Sequence, residues 1–598
     1  MPHTTRPVIS GKRGVAAAGH YLAAAAGFRI MEQGGNAVDA AAAMCFCLNL
    51  LEPHRNGVGG EVPVLVYSAK QRQTFAVCGQ GWSPMALTID WCMAEGIDLI
   101  PGDGFIPACV PAVVDTWAIA LGRFGTMSFS QVLAPAIELA RSGFPVYEAL
   151  HEYLKSNRQK FAERYPTTAA LFYPGEEIPA TGELLRNPDL AEMLELLCQA
   201  EDKAAAAGRI AGIEAARDAF HKGEITERIL DFISQNAVED ATGSEHKGLL
   251  SYEDFAEWHA AVEEPVTLGY GGLDIHKCQP WSQGPVFLQQ LSLLKGFNLP
   301  AAGHNSGEYL HTLVECAKLA FADREAYYGD PAYDSVPLEV LLSDSYEHAR
   351  RELVGREASS KLRPGDAGEG IPEYVDSDVA EDNRRALGIA GKSPANLGQG
   401  HAHLGDTTYL CAADSEGNLV SATPSGGWIG TSPVIPGVGF ALGTRAQMFY
   451  LNPNRPNALE PRKRPRTTLT PTLVTREGRP YLAFGTPGGD SQDQWTLQFF
   501  LNHIVFGMNL QEAIDAPTVH SEHFPSSFYP RKAHPRRMVA EGRISSEVLA
   551  ELERRGHDVE VVGNWAHGKV MAAEIDAERG TLHAAASSRG NLAYALGW

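Results

Sequence analysis

Apolar positions along the chain recur with two periods, and each predicts a different element. From Gly14 to about Gln33 they follow a helical spacing that Gly34-Gly35 stops, and Asn36 is placed to cap a second helix, Ala37 to Leu51. That second stretch is apolar on nearly every side, so it reads as a buried helix. Two short apolar runs, Val62 to Tyr67 and Thr74 to Val77, read as an antiparallel strand pair. Helix, helix, strand, strand describes a sheet covered on one face. Pro111 to about Glu264 is mostly helical, and further helices are predicted from Val286 to Gly296 and Glu308 to Tyr327. Beyond residue 405 the period shortens. Tyr409 to Ala413 and Leu419 to Ala422 flank a turn of Asp414 to Asn418, strands follow at Thr470 to Val474 and Tyr481 to Phe484, and an amphipathic helix runs from Gln492 to Phe506. The end, Val559 to Trp598, is β-rich around a Glu578-Arg579-Gly580 turn. Residues 364 to 405 carry Gly, Pro, Asp, Asn and Ala without apolar periodicity, as a linker or lid does.

Composition narrows the partners. The 598-residue chain has a net charge of -22, so it offers neither nucleic acid nor an anionic membrane a general positive surface. No apolar run is long enough for a membrane span. Nine cysteines, an odd number set mostly among apolar neighbours, suit buried reduced thiols and a cytoplasmic location better than a disulfide framework. Lys12-Arg13 before the Ala-rich stretch 14–28 imitates a signal peptide, but His20 and Tyr21 interrupt it, and a first core helix is the favoured reading.

Candidate chemistry centres on Gly405-Asp406-Thr407-Thr408. A threonine hydroxyl inside a chain is a weak nucleophile; if the chain is cut before Thr407, the freed α-amine becomes a base beside that hydroxyl. The irregular segment leads straight to this point. A second candidate is Gly488-Gly489, between a strand and a helix start, where bare N–H groups can meet a developing oxyanion. Other patterns fail: there is no Gly-x-Ser-x-Gly elbow, Gly391-Lys392-Ser393 lacks the first glycine of a phosphate loop, and His401-Ala402-His403 has no further ligand nearby. No metal or cofactor is expected.

Taken in order, Gly34-Gly35-Asn36-Ala37-Val38-Asp39-Ala40-Ala41, Glu52-Pro53-His54 through Gly59-Gly60, Phe321-Ala322-Asp323-Arg324, Gly329-Asp330-Pro331, Asp406-Thr407-Thr408-Tyr409, Lys463 to Pro471 and Gly485-Thr486-Pro487-Gly488-Gly489 resemble the γ-glutamyltranspeptidase family of N-terminal-nucleophile hydrolases. The resemblance covers nearly the whole chain. It implies an α/β fold, a four-layer αββα sandwich formed jointly by two chains from one self-cleaving precursor: a large chain, 1–406, and a small chain, 407–598. It further implies Thr407 as nucleophile, Gly488 and Gly489 as the oxyanion pair, Ser425 beside the Thr407 amine, and Thr467 and Thr468 where transpeptidases hold the substrate carboxylate with two serines.

Departures fall in the specificity pocket. Gln80 stands where transpeptidases clamp the glutamyl carboxylate with arginine, and a neutral amide is no substitute for a permanent, bidentate charge. Gly443 to Met448 lacks the carboxylate that receives the substrate amine, and Gly427 replaces an asparagine. Arg445, and less so Arg466, is expected to meet an anionic acyl group instead. Among Arg455, Arg462, Lys463, Arg464 and Arg466, ion pairing or a solvated face is expected for at least three. Trp82 and Trp281 are weaker candidates for the pocket wall. The reading is a hydrolase of a small-molecule amide, ranked above a transferase, with homo-oligomers of the processed heterodimer left open. The alternatives are a glutamyl transferase with another clamp, a C–C bond hydrolase, and an uncut binding homologue.

Overall fold

Two seven-stranded sheets lie face to face, and helices cover the outer surface of each. The computed structural model describes residues 4–389, 407–589 and 592–598. Gly391-Lys392-Ser393 and His401-Ala402-His403 lie outside the described residues, as do Gly405 and Asp406.

One sheet runs Ile9–Gly11, Thr581–Ala586, Met571–Asp576, Arg479–Gly485, Thr472–Arg476, Leu273–Lys277, Val266–Tyr270, antiparallel throughout. The other runs Tyr594–Gly597, Gly14–Ala18, Leu410–Asp414, Leu419–Ala422, Val64–Ser68, Gln73–Cys78, Ala261–Glu263, again antiparallel. Successive side chains in a strand point to opposite faces, and this sorts the cores. Val15, Ala17, Leu65, Cys411 and Ala413 pack between the sheets against Leu473, Ala483, Met571 and Ala584. Their neighbours Ala16, Ala18, Val64, Val66, Leu410 and Ala412 pack outward on a helical layer that includes Tyr21–Glu32 and Ala37–Leu51. Across the molecule Val474, Leu482, Phe484 and Ala572 pack with Pro285–Leu294, Gly307–Tyr327 and Gln492–Ile504. This is the four-layer αββα sandwich. Both sheets mix strands from before and after residue 407, so neither segment holds a sheet of its own.

The helix Ala37–Leu51 is buried at all fifteen positions. Its start is fixed by a reciprocal cap in which Asn36 Oδ1 accepts from the Val38 and Asp39 amides and Asp39 Oδ2 accepts from Asn36 N at 2.9 Å. Asp414 Oδ1 accepts from Glu416 N and Asn418 N, each at 3.0 Å, and so closes the turn after the Leu410–Asp414 strand; its Oδ2 reaches Ala37 N at 2.9 Å.

Two expectations change. The predicted helix at 14–33 begins only at Tyr21, because Gly14–Ala18 is an inner strand of the second sheet. Alanine is the strongest helix former, but intrinsic propensity is small per residue, and pairing on both edges with burial on both faces outweighs it. Within the segment expected to be irregular, Val379–Leu387 is a helix. Asp382 pairs with Arg455, and Asn383 Oδ1 receives Leu451 N and Asn452 N, so contacts distant in sequence hold it. Among the described residues no helix is long and apolar enough to cross a membrane.

Candidate active site

Thr407 sits at the leading edge of the Leu410–Asp414 strand, bridged to Ser425, which is bridged on its other side to Glu61. The Ser425–Glu61 bridge is closed by two 2.9 Å backbone hydrogen bonds, one in each direction. Glycine at position 60 permits this approach, since a side chain there would overlap the Ser425 carbonyl. The loop Glu52 to Gly60, Thr407 and the stretch after the hairpin are thereby pinned at one point.

The side chains form a chain of contacts. Thr407 Oγ1 lies 3.0 Å from Ser425 Oγ, and Arg445 Nη2 donates to Ser425 Oγ at 2.8 Å. Arg445 Nε donates to Glu61 Oε1 at 2.6 Å. All four residues are buried. Burial raises the Glu61 carboxyl above its ordinary range, and the Arg445 guanidinium opposes that shift. Two rings wall the guanidinium: its carbon lies 4.9 Å from the centre of Trp428 and 5.7 Å from that of Phe528. Arg445 Nη1 is buried and without a hydrogen-bond partner among the described residues.

Phe528 links this side to the glycine loop. A side chain at Gly489 would come within 2.9 Å of the Phe528 ring, and one at Gly488 would overlap the Trp495 ring. Both glycines have positive φ, +132° and +53°, a region other residues rarely enter. The turn Gly489–Ser491 runs directly into the helix Gln492–Ile504, and among the described residues the N–H groups of Gly488 and Gly489 donate no hydrogen bond. Asp490 fixes the loop to the Phe528 segment, accepting from Ser527 N at 2.8 Å and Ser527 Oγ at 2.6 Å, while Arg324 pairs with it from behind. Unpaired donors at a helix start are an anion site in waiting.

Thr467 reaches the same loop through Gln283: Gln283 N donates to Thr467 O at 2.8 Å, and Gln283 Nε2 lies 3.5 Å from Gly489 O. Thr468 Oγ1 is buried without a partner among the described residues. Gln80 Nε2 donates to the neighbouring Gly81 O at 3.0 Å, and Gln80 Oε1 is buried without a partner among the described residues.

The carboxylate absent from 443–448 is supplied by Glu61, from a loop nearly four hundred residues earlier, and Arg445 is therefore already paired. Arg466 is taken by Glu325, Arg455 by Asp382, Arg462 by Glu257, Lys463 by Asp334 and Arg464 by Asp330, so all five basic residues are internal ion pairs. Trp82 and Trp281 bond to Asp254 O and Glu263 instead. Trp428 and Phe528 take the place expected for them. Nothing in their spacing set these two apart from core aromatics. A cavity of about 320 Å³ opens past Tyr529, lined also by Asp98, Asp378, Arg384 and Lys532.

One group has metal-ligand spacing among the described residues: His311, Glu315 and His557. Lys318 and Arg363 already neutralise Glu315, and the two imidazoles bond each other at 2.9 Å, while His557 Nδ1 is buried without a partner among the described residues.

The family model for gamma-glutamyltranspeptidase matches residues 23–596. The glutathione hydrolase-like YwrD proenzyme of Bacillus subtilis (strain 168) is 31% identical over 588 residues, 98% of each chain. The solved structure of LmbA2991HD is 42% identical, with a TM-score of 0.92 over 100% of both chains. The cephalosporin acylase from Bacillus halodurans is 29% identical, with a TM-score of 0.82 over 100% of this chain and 98% of that one.

Proposed function

The chain belongs to the gamma-glutamyltranspeptidase family and is an enzyme of the N-terminal-nucleophile hydrolase type, and on that premise we propose that it cuts itself before Thr407 and then hydrolyses an amide in a small molecule through an acyl-enzyme. The observation that carries the reading is the run Thr407–Ser425–Arg445–Glu61 facing, across Phe528, the undonated N–H groups of Gly488 and Gly489. That relatives are named as proenzymes and as an acylase supports both halves.

In the first half, Thr407 Oγ attacks the carbonyl of residue 406, the peptide nitrogen takes the proton and leaves, and water hydrolyses the resulting ester. This frees chains 1–406 and 407–598, held together by the shared sheets. In the second, the new α-amine, with an ordinary pKa of about 7.7–8.0, takes the hydroxyl proton as Thr407 Oγ attacks the substrate carbonyl. Gly488 and Gly489 donate to the oxyanion, the proton passes to the departing amine, and water attacks the acyl-enzyme by the same route in reverse. Ser425 Oγ, polarised by Arg445, orients the Thr407 amine and hydroxyl. Thr467 and Thr468 support the acyl group from the glycine-loop side, and Arg445 Nη1 is a remaining donor into the pocket.

Hydrolysis ranks above glutamyl transfer because the glutamyl clamp position is Gln80, bound to Gly81, and the pocket cation Arg445 is already neutralised by Glu61. No cofactor enters this mechanism. Nine unpaired cysteines, eight of them buried, support a reducing, cytoplasmic compartment. The test is a panel of amides with glutamyl, other anionic and apolar acyl groups: release of amine without dependence on an added acceptor is expected, and glutamyl preference with strict acceptor dependence would reverse the ranking.

A further inference from the structure

On the side of the nucleophile strand opposite Ser425, polar atoms converge that nothing in the fold satisfies. His20 Nε2, Glu52 Oε2, His54 Nδ1, Arg55 Nη1 and Thr408 Oγ1 are all buried without a hydrogen-bond partner among the described residues. They belong to one connected cluster of side chains. A side chain at Gly19 would run into both the Thr408 hydroxyl and Glu52 Oε2, so these two groups close directly on the glycine backbone. Arg55 Nε lies 3.1 Å from His54 Nε2 and Arg55 Nη1 3.3 Å from Glu52 Oε1, while His20 and His54 both pack on the Tyr147 ring, at 5.3 and 6.2 Å. An unmet buried donor or acceptor costs about 1–3 kcal/mol. Five in one place do not stay dry and empty.

Charge gives the sign of the occupant. Burial pushes His20 down to about 3 and holds His54 well below its ordinary value, so both imidazoles are neutral. Tyr147 is held protonated by burial. Glu52 and Arg55 cancel. One cation remains: Lys569, which makes no hydrogen bond or ion pair among the described residues and lies within electrostatic reach of Arg55, Glu52 and His54. It stands two residues before Met571, the partner of Gly485 in the sheet, and the Tyr409 ring packs on Gly485. Lys569 thus sits where the nucleophile strand meets the glycine loop.

We propose that this cluster is an anion subsite, in which Arg55 Nη1, the Lys569 ammonium and the Thr408 hydroxyl receive the carboxylate of the substrate's acyl group. The assignment to an acyl group rests on the reading of Thr407 as the nucleophile, one residue away. It also supplies what Arg445 lacks, a positive charge not already neutralised. Burial, aided by Arg55, brings Lys569 down to about 7. A bound carboxylate favours the ammonium, so binding takes up a proton; affinity is full below pH 7 and falls as pH rises above it.

The test is calorimetric titration of the full-length protein with glutarate, which reads binding without turnover and so separates this subsite from the proposed reaction. At about pH 6, where Lys569 is already charged, saturable binding is expected with little dependence of the heat on the buffer, and at about pH 7.5 proton uptake should appear as such a dependence. Affinity should fall at least about tenfold at pH 8.5 and about tenfold or more in Lys569→Met and in Arg55→Met, the scale of one charge-assisted contact. Lys569→Met removes an unpaired charge and keeps the fold; Lys569→Gln gives a second reading. No saturable binding up to about 50 mM, or unchanged affinity in both Lys569 variants, overturns the proposal and leaves the cluster to water.

Discussion

Arg445 Nη2 lies 2.8 Å from Ser425 Oγ, so the hydroxyl in contact with Thr407 is bonded to a guanidinium that a buried ion pair holds in place. Removing Glu61 should therefore act on both stability and catalysis. Glu61→Ala leaves a guanidinium buried without its counter-charge, a loss of about 3–5 kcal/mol. Chemical denaturation should show that drop, while Glu61→Gln, which keeps an acceptor for Arg445 Nε, should lose less. Equal stability of Glu61→Ala and the parent would mean that the pair does not anchor Arg445.

Thr407→Ala should remain a single full-length chain, whereas the parent should give two fragments, the smaller beginning at Thr407. Denaturing electrophoresis with N-terminal sequencing reads both. A processed Thr407→Ala variant would place the cut elsewhere.

Gly489→Ala forces a side chain into a φ of +53° and to 2.9 Å from the Phe528 ring. The displaced loop carries its N–H donors with it. Loss of one such donor costs about 10²–10³ in kcat, and steady-state kinetics on the best amide should show a drop of that size with little change in KM. If KM alone rises, the loop binds substrate and does not serve the oxyanion.

Lys569 also predicts a stability effect. Its folded pKa of about 7 lies below the ordinary lysine value, so the folded state disfavours the proton and loses stability as pH falls from the unfolded value toward 7. Below that the penalty is fully present. Lys569→Met should therefore melt above the parent at pH 6, and the two should converge near pH 10. Thermal unfolding at the two pH values decides it, and a constant offset would mean that Lys569 is solvated.

The layers and most of their elements were legible in the chain. Asn36 and the nearly all-apolar run behind it marked the buried helix to the residue, and the short apolar run Val62 to Tyr67 marked a strand. Gly14–Ala18 was not legible, because five small residues carry no period of their own and only pairing with Leu410–Asp414 and Tyr594–Gly597 selects the extended form. Val379–Leu387 was missed because its polar residues bond to Leu451, Asn452 and Arg455, far along the chain.

By itself, then, the sequence determined the order of layers and singled out Thr407, Gly488 and Gly489 as candidates, since caps, periods and glycine turns act over a few residues. Tertiary structure decided the pocket: that Glu61 neutralises Arg445, that Trp428 and Phe528 form its walls, and that Thr408, Arg55 and Lys569 meet in one unsatisfied cluster. Charge pairing and burial depend on distance in space, and these partners are separated by up to hundreds of residues along the chain.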